Sequence, residues 1–117
     1  MADIKNKKKD MPDWQDKFNV VVASAEEAVK KIAPGHRVFI ATGCAQPLKL
    51  IKAMVTRSDE LVDVEIIQLL TMGEAPYAKK ELADSFRVNS FFISENIHDI
   101  VKAGYGSYTP ILLSDIP

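Results

Sequence analysis

The stretch Arg37-Val38-Phe39-Ile40-Ala41-Thr42-Gly43-Cys44-Ala45-Gln46-Pro47 decides the fold. Val38 to Ala41 is an apolar run with no polar alternation. Such a run reads as a strand covered on both faces, as strands of parallel sheets are. A glycine turn follows at once, and Pro47 is well placed to open a helix. Leu48, Ile51 and Val55 give that helix a buried stripe, with Lys49 and Lys52 outward. Strand, tight turn, helix is the start of a βαβ unit.

Upstream, Ser24 reads as an N-cap, with Glu27 three residues on completing a capping box. Ala28, Val29 and Ile32 form the apolar stripe of that helix. Glu26–Lys30 and Glu27–Lys31 are i,i+4 pairs in the favourable order, and Pro34-Gly35 stops the helix. Asp13–Asn19 predicts a further short helix, with Trp14 and Phe18 one turn apart. Downstream, Val64–Leu70 and Phe86–Ile93 read as second and third strands. Ala78–Ala83 has room for one or two helical turns between them. Asn96 is placed to cap a helix through Ile97, Ile100 and Val101 that ends at Gly104. Ile111–Leu113 reads as a fourth strand. The expectation is an open, mostly parallel α/β sheet with flanking helices, cut short after a core strand. Val38, Ile40, Ile66, Leu69, Phe92 and Leu112 are its expected core.

A chain of 117 residues fits one domain, here residues 13–117. Residues 1–12 hold Lys5, Lys7, Lys8 and Lys9 with little that is apolar, and read as a disordered basic tail. The hydrophobic share of 47% and charged share of 26% are those of a soluble globular protein. A net charge of −1 supplies no electrostatic reason to bind nucleic acid or an anionic membrane. No apolar run approaches the roughly 20 residues of a bilayer span, and no apolar segment follows the N-terminal lysines as in a secretory signal. Cys44 has no second cysteine to pair with, which suits the cytoplasm.

In open α/β sheets ligands bind beyond the carboxyl ends of the strands. Three expected loops lie there: Thr42–Pro47, Thr71–Tyr77 and Ser94–Asn96. In the first, Gly43 and Ala45 let a ligand approach the backbone, and N–H groups at the start of the helix would welcome an anion or a carbonyl oxygen. The same spacing also suits an ordinary tight βα turn. Gly43 lacks the partner glycines of a dinucleotide fingerprint, and no Gly-Lys-Ser/Thr follows it as in a P-loop. Cys44 near a helix N-terminus can be acidified into a nucleophile, or can pack as a small apolar residue. No histidine stands near it in sequence. His36, His98 and Cys44 do not make a metal-ligand pattern, and Glu74, Glu95 and Asp115 lie near strand ends without a telling spacing.

The blocks Ser24-Ala25-Glu26-Glu27-Ala28-Val29, Gly35–Ile40 and Gly43–Pro47 resemble the N-terminal domain of the acetyl-CoA hydrolase/transferase family. That family includes acetate, butyrate and 4-hydroxybutyrate CoA-transferases. The resemblance continues in order through Asp63–Ile66, Leu69–Thr71 with Gly73, Ala75–Tyr77, Phe86–Ile93, Asn96, and Tyr108 to Ser114. It implies a two-domain enzyme that moves coenzyme A between an acyl-CoA and a small carboxylate through a glutamyl-CoA intermediate. The glutamate would lie in a C-terminal domain beyond Pro117, so no catalytic residue is expected in this chain. Gly43, Ala45, Gln46, Pro47, Tyr77 and Asn96 are the implied substrate-binding residues. The implied partners are the acyl-CoA, the carboxylate, the missing domain and, in the full-length enzyme, further copies of itself. No bound cofactor and no metal are implied, coenzyme A being substrate. His98, Tyr105 and Ser107 depart from the family pattern, which bears on substrate preference. The competing readings are an acyl-CoA hydrolase of the same fold, with water as acceptor, and a non-catalytic α/β binding module.

Overall fold

The structure is a computed structural model that describes residues 18–19 and 21–116. The tail at 1–12 and nearly all of the short helix expected over Asp13–Asn19 lie outside the described residues. The elements in chain order are α1 (Ala25–Val29), β1 (Arg37–Ile40), α2 (Leu48–Val55), β2 (Val64–Gln68), β3 (Phe86–Ser90), α3 (Glu95–Lys102) and β4 (Gly106–Tyr108). Short 3₁₀ turns sit at Gly43–Ala45, Lys80–Leu82 and Leu113–Asp115.

The four strands pair in the order β1-β2-β3-β4, and every pairing is parallel. Parallel neighbours need a crossover between them, and crossovers of one hand advancing in one direction fall on one face of the sheet. The burial shows which face. Register partners share a face, so Ile40, Ile66, Val88 and their alternates form one surface, and it is the buried one. Val29 of α1 and Ile51, Ala53 and Met54 of α2 join these strands in a single core. Gly106 of β4 shares that face with Val88, and a Cβ there would lie 3.1 Å from Val101 and 3.4 Å from Ile100. The absent side chain is what lets α3 lie close over β4.

The opposite face carries Arg37, Phe39, Glu65, Ile67, Arg87, Asn89 and Ser107. Phe39 on it is 62% exposed. The expectation that β1 is covered on both faces is therefore corrected: its apolar run packs on one side only. Polar contacts cross this open face instead. Arg37 pairs with Glu65 at 2.7 Å, Asn89 donates to Glu65 at 3.4 Å, and the Thr109 hydroxyl donates to Asn89 at 2.8 Å.

Some local signals hold and others shift by a residue or two. Ser24 caps α1, its hydroxyl accepting from the Glu27 N–H at 3.1 Å. The i,i+4 pairs do not form; Glu27 pairs with Lys30 at i,i+3, because α1 ends at Val29 and the longer spacing has no helix beneath it. Arg57 secures that end. Its guanidinium donates to the carbonyl of Val29, the last residue of α1, and at 3.2 Å to that of Ile32 just beyond it. Pro47 stands at the N-cap of α2, one place before the expected position, and α3 is capped at Ser94, two residues before Asn96. Gly104 at φ +83° turns the chain after α3.

The strand ends need correction. β2 stops at Gln68 and β3 at Ser90, so Phe91-Phe92-Ile93 belongs to a loop and Phe92 is 42% exposed. The fourth strand is Gly106–Tyr108, not Ile111–Leu113. The turn at Gly104 delivers the small segment Gly106–Tyr108 to the edge of β3, and Pro110 cannot donate to a continued ladder. Leu112 is left outside the sheet and 70% exposed. The expected cut after a core strand accordingly does not fall on a strand.

Two substitutions separate the faces. Ile66→Ala, at a fully buried position, should cost about 2–5 kcal/mol of unfolding free energy. Phe39→Ser on the open face should change it by no more than about 1 kcal/mol. Urea titration of both variants checks the pair; equal losses would show that both faces are packed.

Candidate functional site

Parallel strands place all their carboxyl ends at one edge, so the loops after β1, β2 and β3 are neighbours there. Hydrogen bonds tie each to the next. The Leu70 carbonyl accepts from the Gly43 N–H and the Thr42 hydroxyl, both at 2.9 Å. The Gln46 amide reaches the same second loop at two points. Its Nε2 donates to the Glu74 carbonyl at 2.7 Å, and its Oε1 accepts from the Gly73 N–H at 3.2 Å. From the third loop, Asn96 Nδ2 donates to the Gly73 carbonyl. The Gly73 peptide groups are thus held from both sides. A Cβ on Gly73 would stand 2.8 Å from Gln46 Oε1, so a side chain there would have to displace the Gln46 amide.

Two cavities flank this seam. One of about 530 Å³ is lined by Leu70–Gly73 and Ser94–Asn96, and one of about 220 Å³ by Gly43, Cys44, Gln46, Leu48, Met72 and Gly73. Met72 borders both and is 71% exposed. An apolar hollow of about 200 Å³ between α1, α2 and β1 lies away from the loops. It has only aliphatic and aromatic walls and belongs to packing rather than chemistry.

Beneath the loops runs a buried polar ladder. The Tyr77 hydroxyl donates to Gln68 Oε1 at 2.5 Å, and Gln68 Nε2 donates to the Ser90 hydroxyl at 3.4 Å. Ser90 in turn donates to the Phe92 carbonyl. Gln68 and Ser90 are the last residues of β2 and β3, so the ladder pins the places where both loops depart. Burial pushes the Tyr77 phenol above its usual range, while the Thr71 hydroxyl beside it pulls the other way.

The expected site residues separate into groups. Gly43, Ala45, Gln46, Pro47 and Asn96 all lie at the loop edge. Tyr77 does not face it: the side chain is fully buried and supports the edge from below. The backbone donors expected to be free are partly used, since the Gly43 N–H goes to Leu70 and the Ala45 N–H to Thr42 at 3.2 Å. Gly43 itself adopts φ +58°, which a side chain would strain. Cys44 is exposed. Among the described residues no three His, Cys, Asp or Glu side chains stand close enough to hold a metal ion, and no helix is long and apolar enough to cross a membrane. Sequence reading passed over Met72, Gln68 and Ser90. Gln68 carried a signal, as a polar residue ending the otherwise mostly apolar β2.

A parallel α/β sheet with its loops joined around an open carboxyl edge is the architecture of a ligand-binding domain. Residues 2–117 match the acetyl-CoA hydrolase/transferase N-terminal domain, and the chain belongs to that family. It is 30% identical over 105 residues to the 4-hydroxybutyrate coenzyme A transferase of Clostridium kluyveri, covering 90% of this chain and 24% of that protein. It is 32% identical over 103 residues to the succinyl-CoA:acetate/propanoyl-CoA:succinate CoA transferase of Fasciola hepatica, covering 86% of this chain and 21% of that one. The crystal structure of RipA from Yersinia pestis superposes with a TM-score of 0.75 at 21% identity, over 86% of this chain and 26% of RipA, and shares the fold. The chain spans about a quarter of the length of these proteins.

The Tyr77 ladder sets a pH dependence. A phenol whose pKa is higher folded than unfolded contributes stability that is complete below the unfolded value of about 10 and is lost as pH rises through the folded value. Tyr77→Phe should remove this alkaline decline. At pH 7 it should cost about 1–3 kcal/mol, because Gln68 Oε1 loses its hydroxyl donor in a buried place. Urea unfolding at pH 7 and above pH 10 checks both; an unchanged alkaline limb would place the titration elsewhere.

Proposed function

We infer that this chain supplies the acyl-side wall of an enzyme that transfers coenzyme A between an acyl-CoA and a small carboxylate. The carrying observation is the family match along residues 2–117 together with relatives named as CoA transferases. The loop edge supports it with two cavities, one of them bordered by the side-chain-free Gly43. Small residues there let a thioester come close to the main chain.

In this reading a glutamate outside the chain attacks the thioester carbonyl and expels coenzyme A thiolate, leaving an acyl-glutamyl anhydride. The thiolate returns to the glutamyl carbonyl, releases the first carboxylate and leaves a glutamyl-CoA thioester. The acceptor carboxylate then takes the glutamate's place by the reverse sequence. Covalent catalysis splits one hard exchange into easier steps. Gly43, Ala45 and Pro47 shape the wall met by the acyl group, Gln46 and Asn96 hold its loops, and Tyr77 stiffens the floor. Coenzyme A is substrate, and the enzyme is cytoplasmic and assembles as a homo-oligomer. If water replaces the acceptor, the same wall serves an acyl-CoA hydrolase.

Mixing acetyl-CoA with butyrate and following butyryl-CoA by chromatography tests the reading. The 117 residues alone should give no exchange above the blank, and joining them to the segment that follows in the longer relatives should restore it. In that restored enzyme Ala45→Phe should lower turnover of small acyl groups about tenfold or more, by misplacing the thioester. Exchange by the chain alone, lost on Cys44→Ser, would overturn the assignment and make the cysteine the nucleophile.

A further inference from the structure

We propose that Gln46 is a positioning residue: its side-chain amide clasps the Gly73–Glu74 backbone, and the clasp sets how the space around Met72 is divided between the two cavities. The proposal rests on the reading that this edge receives the acyl group.

A primary amide has one acceptor and two donors on a fixed plane, so it can imitate a neighbouring strand. Gln46 does so, accepting from Gly73 N–H at 3.2 Å and donating to the Glu74 carbonyl at 2.7 Å. With both ends engaged on the main chain, one Nε2 N–H is left for any ligand. Asn96 holds the remaining face of the same turn by donating to the Gly73 carbonyl. The residue immediately before it is Met72, whose sulfur lies 4.0 Å from where a Cβ on Gly43 would stand. Met72 borders both cavities, and an unbranched thioether is the side chain most able to reshape a hollow. Gly73 has no positive φ to require glycine. A Cβ there would stand 2.8 Å from Gln46 Oε1 and would have to displace the clasping amide, which ties the two positions into one unit.

The test uses the 117-residue chain labelled with ¹⁵N and with ¹³C at the methionine methyl groups. In Gln46→Ala the Gly73 amide should exchange about fivefold faster, the equivalent of one lost hydrogen bond, with Ile66 and Val88 amides unchanged. Gly73→Ala should lower the unfolding midpoint in the parent chain and be tolerated in the Gln46→Ala background, where the clash is gone. Coupling of that sign is the mark of a direct pair. The Met72 methyl signal should shift on adding butyryl-CoA to the parent and lose that response in Gln46→Ala, while Met54 stays constant. A purely structural clasp would leave the Met72 response unchanged, and that result overturns the positioning role. Equal Gly73 exchange in parent and Gln46→Ala, or additive effects of the two substitutions, overturns the clasp itself. Absence of any Met72 response in the parent counts against the acyl-site reading, and the exchange and coupling data then judge the clasp on their own.

Discussion

Parallel pairing of four consecutive strands is the constraint from which the rest of this molecule follows. A parallel neighbour cannot be reached by a hairpin, so the chain must cross back over the sheet between every two strands. Because the order is β1-β2-β3-β4 without a reversal, every return passes over the same face. Ile66 and Val88, side by side in register and almost fully buried, sit at the centre of the surface so covered. The opposite surface keeps Phe39 in water and uses a polar string from Arg37 to Thr109 in place of packing.

The same constraint builds the functional edge. Every parallel strand ends on the same side, so three loops far apart in sequence must share one small area. Buried polar groups then become affordable, because each finds a partner from a neighbouring loop or strand. Among the described residues no buried side-chain polar atom is left without a partner. The Tyr77–Gln68–Ser90 ladder and the Gln46–Gly73–Asn96 seam are two layers of this arrangement, one below the loops and one within them. The ladder is buried and the seam exposed, and a buried network such as the ladder specifies a single loop geometry more than it adds net stability.

Surface charge plays a smaller part. Lys30–Glu27 and Lys52–Glu74 are exposed pairs, the second at 3.7 Å, and pairs of this sort contribute little. Arg57 is different, because its side chain is mostly covered and its hydrogen bonds go to backbone carbonyls at the end of α1. It joins the segment after α2 to the segment after α1 and so closes the helical layer.

What could be read from the sequence alone were the features that neighbours in the chain determine. Ser24 caps its helix, Gly104 turns the chain after α3, and the apolar runs at Val38–Ile40, Ile66 and Val88 belong to parallel strands. The ordered blocks from Ser24 to Ser114 also carried the family, because short motifs in fixed order survive where overall identity is low. What only the tertiary structure decided were the partners. Ile111–Leu113 is as apolar as a strand, yet the edge of β3 is taken by Gly106–Tyr108, where the bare Gly106 lets α3 approach. Phe39 looks like core, but the crossovers cover only the other face. Gln46 reads in sequence as a ligand contact, and only the arrival of the second loop shows that both ends of its amide also hold backbone. In each case a side chain's role depends on which distant segment arrives beside it, and local spacing does not encode that arrival.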